Sequence, residues 1–242
     1  MAGLLLTRPH DAARRFVAML PTALTAGLQV IYAPLISVQP LGEDIPLHSG
    51  ESVIFTSSNA VSAAAGITDC SARTAYCLGQ RTCQQAAEAG WRAQICGKTA
   101  DALVADLLQR RPCEPLMHLR GRHARGRIAE RLSAAGLICR EQIIYHQPLL
   151  ALTGEAESAM SASQDIIVPL FSPRTARQFA DQCPAGAKIH LIAMSEAVSD
   201  PVKSLKYKDL RICSEPDAQS MAQLVHDVAV QLIRVESDKT AQ

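Results

Sequence analysis

The chain of 242 residues has no excess of either charge, with 24 Lys and Arg against 23 Asp and Glu for a formal net charge of +1. A general nucleic-acid binder needs a basic excess or a long basic face, so that class is excluded, although a local positive pocket is not. No apolar run approaches the roughly 18–20 residues of a membrane span. The opening Leu4-Leu5-Leu6 is too short for a secretory apolar region, so a cytoplasmic protein with no membrane partner is expected. The eight cysteines include no C-x-x-C pair and have no neighbouring His pair, so neither a zinc site nor a redox dithiol is spelled out. They read as reduced, small apolar side chains. Also missing are a nucleophile elbow, a P-loop, a G-x-G-x-x-G turn and an H-E-x-x-H helix. Nucleotide and metal chemistry therefore lack their usual supports, and no cofactor or metal is expected.

What is present is a repeat. Hydrophobic residues make up 48% of the chain, enough to bury a full core. Ser57-Ser58-Asn59-Ala60 precedes Ser172-Pro173-Arg174-Thr175 by 115 positions (172 − 57 = 115), each after an apolar run. The same offset carries Leu78-Gly79-Gln80-Arg81 onto Ala193-Met194-Ser195-Glu196. An offset of 113 (117 − 4 = 113) lays Leu4 to Arg8 over Met117 to Gly121, and Val30-Ile31-Tyr32 over Ile143-Ile144-Tyr145. Short apolar runs that end in polar loops and lead into helical periodicity are βα units of parallel sheets. Two similar α/β domains follow.

Helical spacing joins Ala13, Phe16, Val17 and Leu20, as well as Leu103 with Leu107 and Ile128 with Leu132. Ser57 or Ser58, and Ser172 before Pro173, mark helix starts. A strand is expected over 205–213 and a last helix near 219–234, with the chain frayed after Glu236. Segments 30–40 and 143–152 carry Pro34, Pro40 and Pro148 and read as two extended connections side by side. On that reading 1–34 joins 150–242 in one domain, 38–145 forms the other, and 35–37 with 146–149 link them. A tandem split near residue 115 fits the repeat equally well.

Ligands of parallel sheets bind beyond the carboxyl ends of the strands. The loops there offer Thr56, Ser57, Ser58 and Asn59 in one half and Ser172 and Arg174 in the other, at helix N-termini suited to anions. N-capping explains either loop alone; two at equivalent places suggest opposite walls of an inter-domain cleft. Gly79 and Thr82 mark a further loop, with Ser195 at the matching place. Arg8 follows Thr7 at the end of the first strand and has the fork geometry for a carboxylate. Residues 120–131 hold five arginines and Glu130, of which Arg120 and Arg125, with Gly121, lie where acids would more naturally begin a helix. Tyr145 ends a strand, where packing competes with chemistry as its role. His123 and His146 are lone histidines and carry no assignment.

These segments together resemble the uroporphyrinogen-III synthase family. Leu6-Thr7-Arg8-Pro9 is similar to its opening strand and loop, and Val53 to Val61 to its strand followed by T-S-x-x-A-V. Gly79 to Thr82 with Ala89-Gly90-Trp91, Leu119-Arg120-Gly121, Ile144-Tyr145 and Ile167 to Arg174 follow in the family's order. The resemblance spans about residues 3 to 234. It implies two flavodoxin-like lobes joined by a two-stranded connection. It also implies conversion of hydroxymethylbilane, an octacarboxylate, into uroporphyrinogen III with inversion of ring D and no cofactor. The terminal hydroxyl leaves as water, the resulting azafulvene is attacked to give a spiro-pyrrolenine, and this fragments and recloses. Tyr145 matches the family's candidate proton donor, and the loop residues become carboxylate holders. Two departures stand out: Ala193-Met194-Ser195-Glu196 replaces a G-x-x-T-like loop, and Phe171 replaces a hydroxyl residue before Ser172. A monomer meeting the enzyme that supplies its substrate is expected. A non-catalytic two-lobed anion-binding module, a nucleotide-sugar transferase and a partner-binding scaffold are the rival readings.

Overall fold

A computed structural model describes residues 1–67, 70–124, 126–162 and 164–240, with the side chains of 235–240 left aside. The chain divides into two compact units, Met1–Ser37 with Leu149–Gln242 and Val38–Pro148. The division falls at 37/38 and 148/149, not near residue 115.

The first unit contains β1 (Gly3–Leu6), α1 (His10–Val17), α2 (Thr22–Ala26) and β2 (Gln29–Tyr32) from the start of the chain. The second unit runs β3 (Gln39–Pro40), β4 (Ser52–Phe55), α3 (Ser58–Ala63), β5 (Thr74–Cys77), α4 (Gln80–Glu88), β6 (Arg92–Ile95), α5 (Ala100–Arg110), β7 (Leu116–Gly121), α6 (Ile128–Ala134) and β8 (Cys139–His146). The chain then returns to the first unit with α7 (Gly154–Ser161), β9 (Asp165–Leu170), α8 (Pro173–Gln182), β10 (Lys188–Ala193), α9 (Glu196–Ser199), β11 (Asp209–Ile212) and α10 (Ala218–Thr240).

One sheet has the order β11-β10-β9-β1-β2 and the other β3-β8-β7-β4-β5-β6. All neighbours pair parallel except β3 with β8. Without β3 the two orders match strand for strand, β2-β1-β9-β10-β11 against β8-β7-β4-β5-β6, the flavodoxin-like order. The two sequence offsets follow this match: β1 and β2 correspond to β7 and β8, and β4 and β5 to β9 and β10. One sheet therefore joins β1 and β2 of the first repeat to β9, β10 and β11 of the second, and the other joins β7 and β8 of the second repeat to β4, β5 and β6 of the first. Antiparallel pairing flanks both passages of the chain between units. Ile36 bridges Leu149, and the Leu150 amide donates to the Leu35 carbonyl at 3.0 Å. Gln39 faces His146, and Pro40 faces Tyr145.

Strands β1 and β4 are buried at every position, as expected when helices cover both faces of a sheet. Leu5 packs with Ile31, Val168 and Phe179 on one face, while Leu4 and Leu6 join Phe16, Met221 and Val225 on the other. Val53, Phe55 and Leu119 pack around Trp91 and Tyr145, with Ile54 opposite them against Leu103 and Leu132. Each fully buried aliphatic side chain contributes roughly 1.5–3 kcal/mol, so these runs fix the strand positions.

Three boundaries differ from expectation. α1 ends at Val17, and Leu20 is buried in the turn that follows. Only 209–212 of the expected strand 205–213 join the sheet, because Lys206, Tyr207 and Lys208 are exposed and precede the ladder. α10 continues to Thr240, since no Gly or Pro interrupts it before then. The cysteines are free thiols. Burial pushes Cys77, Cys96 and Cys139 up to about 12, far from thiolate reactivity. Among the described residues no helix is long and apolar enough to cross a membrane, and no three His, Cys, Asp or Glu form a group that could hold a metal ion.

Candidate functional site

Strand order reverses between β4 and β7 in one unit and between β1 and β9 in the other, and crevices open at such points. Most of the residues singled out in the sequence lie on the loops there.

In the second unit, β4 delivers Thr56 and Ser57. Ser57 is the extended N-cap of α3, and its Oγ accepts from the Asn59 amide at 3.2 Å. Its hydroxyl also shares a hydrogen bond with the Tyr145 phenol, which lowers the phenol's pKa. Tyr145 is only 6% exposed, and burial, the larger influence, raises its pKa above the ordinary tyrosine value. The phenol's own proton is thereby retained at neutral pH. The ring lies against Gly121, its partner across β7 and β8, just past a register shift at Arg120/Gly121. A Cβ on Gly121 would stand 2.5 Å from Tyr145 Cζ and 2.8 Å from Oη. Only a glycine lets this ring settle there. Ser58 and Asn59 form the first turn of α3, with the Ser58 carbonyl accepting from Ser62.

The β5–α4 loop contributes Gly79, whose φ of 80° and ψ of 150° suit glycine. Its amide donates to the Gly97 carbonyl at 2.8 Å, and no atom lies within 4 Å of where a Cβ would stand. Backbone is therefore open to approach at this loop. Thr82 is buried within the first turn of α4.

The arginine cluster is more occupied than its sequence implies. Arg120 pairs with Glu141 on β8 and also donates to the Gly121 carbonyl at 3.1 Å. Arg127 meets Glu130 and Arg131 meets Asp101, each at 2.8 Å. Arg120 packs with His118 on the α6 side of the sheet, around a hollow of about 470 Å³ that Arg122, Arg140 and Glu141 also line. That is the face opposite Leu119 and Tyr145. Arg125 lies outside the described residues.

His118 was not foreseen. It is 1% exposed, and its Nε2 is 3.3 Å from Thr56 Oγ1. Burial pushes its pKa down to about 4, Glu141 pulling against that and Arg120 adding to it. The imidazole is neutral. The Arg120 guanidinium holds the Glu141 carboxyl below its ordinary range. A lone histidine inside an apolar strand gave the only available signal, and its partners come from other strands.

In the first unit, Thr7 follows β1 and is 1% exposed, yet its Oγ1 has no hydrogen-bond partner among the described residues. Arg8 lies over the Phe171 ring, with Cζ 4.0 Å from its centroid. Phe171 in turn meets Phe16 edge-on at 5.1 Å. Ser172 is the extended N-cap of α8: its Oγ accepts from the Thr175 amide at 3.2 Å and lies 2.8 Å from Thr175 Oγ1. Its hydroxyl is thus engaged in capping. One terminal nitrogen of Arg174, Nη1, is buried without a partner among the described residues. Ser195 precedes α9 but makes no side-chain cap. Glu196 is exposed and 3.4 Å from Lys203. Tyr32, the counterpart of Tyr145, sits 5.9 Å from the His10 ring.

The family model described as uroporphyrinogen-III synthase HemD matches residues 18–223. This chain belongs to the uroporphyrinogen-III synthase family. The family places it in tetrapyrrole biosynthesis as an enzyme acting on a small molecule. Among curated proteins no sequence matches it significantly. The fold is similar to that of uroporphyrinogen-III synthetase from Helicobacter pylori, with a TM-score of 0.66 and 14% identity over 94% of this chain and 100% of that one. It is also similar to a mutant uroporphyrinogen III synthase from the extremely thermophilic bacterium Thermus thermophilus, with a TM-score of 0.52 and 12% identity over 96% and 99% of the two chains. At these identities the likeness speaks for the two-domain α/β fold, and the family match speaks for the enzyme.

Proposed function

We propose that this family member closes hydroxymethylbilane with inversion of ring D to give uroporphyrinogen III, and that Tyr145 supplies the proton for departure of the terminal hydroxyl. The observation that carries the assignment is the Tyr145 phenol, settled on Gly121 and hydrogen-bonded to Ser57 at the crevice of the second unit. Burial holds the phenol's pKa above the ordinary tyrosine value, so the tyrosine carries its proton at neutral pH. The hydroxyl leaves as water, and the azafulvene is attacked by the substituted carbon of ring D. The spiro-pyrrolenine so formed breaks the bond between that carbon and the methylene bridging rings C and D. The freed methylene is taken by the other α-carbon of ring D, and that carbon loses its proton as the pyrrole is restored, so the reaction loses only water. Orientation and modest acid catalysis suffice for such a path.

The eight carboxylates require several donors. In this proposal Thr56, Ser57, Ser58, Asn59, Gly79 and Thr82 serve in the second unit, and Thr7, Arg8, Ser172, Arg174 and Ser195 in the first. Arg120 contributes less directly, because Glu141 already neutralises it, while the Gly121 backbone seats Tyr145. Cytoplasmic location, a monomeric state, no nucleic-acid or membrane partner, and a transient encounter with the enzyme delivering hydroxymethylbilane belong to the same proposal. The test is incubation of the purified protein with hydroxymethylbilane and chromatography of the oxidised products. Isomer III is expected; isomer I alone, the product of uncatalysed closure, would overturn the assignment.

A further inference from the structure

We propose that Phe171 is a positioning residue that makes Arg8 one arm of a carboxylate clamp at the carboxyl ends of β1 and β9, with Arg174 and Thr7 as its other members. The proposal rests on the reading of the substrate as a polycarboxylate. Position 171 lies 115 residues after Thr56, so the two are counterparts in the repeat. In the second unit that position carries a hydroxyl directed at His118. In the first it carries a ring, and the ring is fixed from behind by the buried edge-on contact with Phe16.

A guanidinium seated over an aromatic face, as Arg8 is with its Cζ 4.0 Å from the Phe171 centroid, gives up solvent on that face, while the N–H donors lie around the edge of the group. That edge is the part that forks onto a carboxylate. Phe171 therefore holds Arg8 from one face and does not itself cover that edge. Thr7 and Arg174 provide an independent observation. Each has a buried polar side-chain atom with no partner among the described residues, and such atoms are rare in folded proteins unless a ligand or water completes them. Thr7 is almost wholly enclosed, and it precedes Arg8 directly. Arg174 belongs to the first turn of α8, a helix of ten residues. In that turn Pro173 has no amide proton and Thr175 gives its own to Ser172. The Ser172 hydroxyl already caps α8, so the main weight of carboxylate recognition at this loop falls on the two arginines and Thr7. The replacement of a hydroxyl by Phe171 is thus a change in how the anion is held: by an oriented guanidinium in place of a hydroxyl.

Steady-state kinetics with hydroxymethylbilane, and equilibrium binding of uroporphyrin I followed by its own fluorescence, test this. Phe171→Leu should raise KM and the uroporphyrin I Kd by about 3- to 10-fold with kcat within about twofold, the scale of one cation–π orientation effect. Phe171→Tyr, which keeps the ring, should stay within about twofold of the parent. In an Arg8→Met background Phe171→Leu should add nothing, because the ring acts through the arginine. Should Phe171→Leu fail to fold, Phe171→Tyr and Arg8→Met still decide: Arg8→Met must weaken uroporphyrin I binding and Phe171→Tyr must not. An unchanged KM and Kd in Phe171→Leu, or an equal further loss in the Arg8→Met background, overturns the clamp. Wild-type protein that binds uroporphyrin I but forms no isomer III would overturn the enzyme reading and leave the clamp standing.

Discussion

Tyr145 and Tyr32 sit at corresponding places on β8 and β2, yet their surroundings differ. Tyr145 lies on Gly121, is nearly enclosed and shares a hydrogen bond with Ser57. Tyr32 is half-buried, and at the place equivalent to Gly121 its unit has Arg8, which lies over Phe171. A side chain at that position leaves no seat for a tyrosine ring. One crevice therefore has a phenol with a retained proton, and the other has an oriented cation. The repeat supplied the same scaffold twice, and where one unit has Gly121 the other has Arg8.

The contrast can be broken most directly at the tyrosines. Tyr145→Phe should lower kcat for isomer III formation by about a hundredfold, the low end of general acid contributions, measured with freshly prepared hydroxymethylbilane. Retention of full rate and full isomer III would remove the phenol from the mechanism.

The buried His118 gives the next largest effect. Its folded pKa is depressed to about 4 against an unfolded value near 6.5. Its contribution to stability is fully present above about pH 6.5 and falls as the pH drops toward and through 4. Linkage puts the loss between pH 7 and 4.5 at about 2.5 kcal/mol. Urea unfolding at both pH values should show that loss in the wild type beyond whatever His118→Gln shows. Equal losses in the two proteins would refute the assignment.

Gly121→Ala should destabilise the fold by about 1–3 kcal/mol through overpacking and should lower kcat by displacing the ring. In a Tyr145→Ala background most of the stability loss should disappear, which a double-mutant cycle by thermal unfolding measures. Ser172→Ala should remove roughly 1 kcal/mol through loss of the α8 cap, read by chemical denaturation. Smallest of all, Tyr32→Phe should leave kcat within about twofold. A drop matching that of Tyr145→Phe would erase the distinction between the two crevices.

Much of this was legible residue by residue. Ser57 and Ser172 announced helix starts because capping is local: a hydroxyl meets an amide two or three residues on. The alignment of Tyr32 with Tyr145 was legible too, because burial on both sheet faces enforces similar apolar runs before each. The fate of Arg120 was not. Its partner Glu141 sits on the neighbouring strand, 21 residues away, so a segment that reads as strongly basic is largely neutralised in space. Phe171 read as a departure from the family pattern, and only its contacts with Arg8 and Phe16 give it a place.

The sequence alone determined two copies of one strand–helix series, their capped loops and their shared family, because periodicity, capping and turn chemistry act over a few residues. The tertiary structure decided how the repeats exchange strands to build each sheet, which tyrosine is enclosed and which arginine is already paired. Those outcomes depend on pairing and packing between residues far apart in the chain, where one missing Cβ or one opposite charge on an adjacent strand changes what a side chain can do.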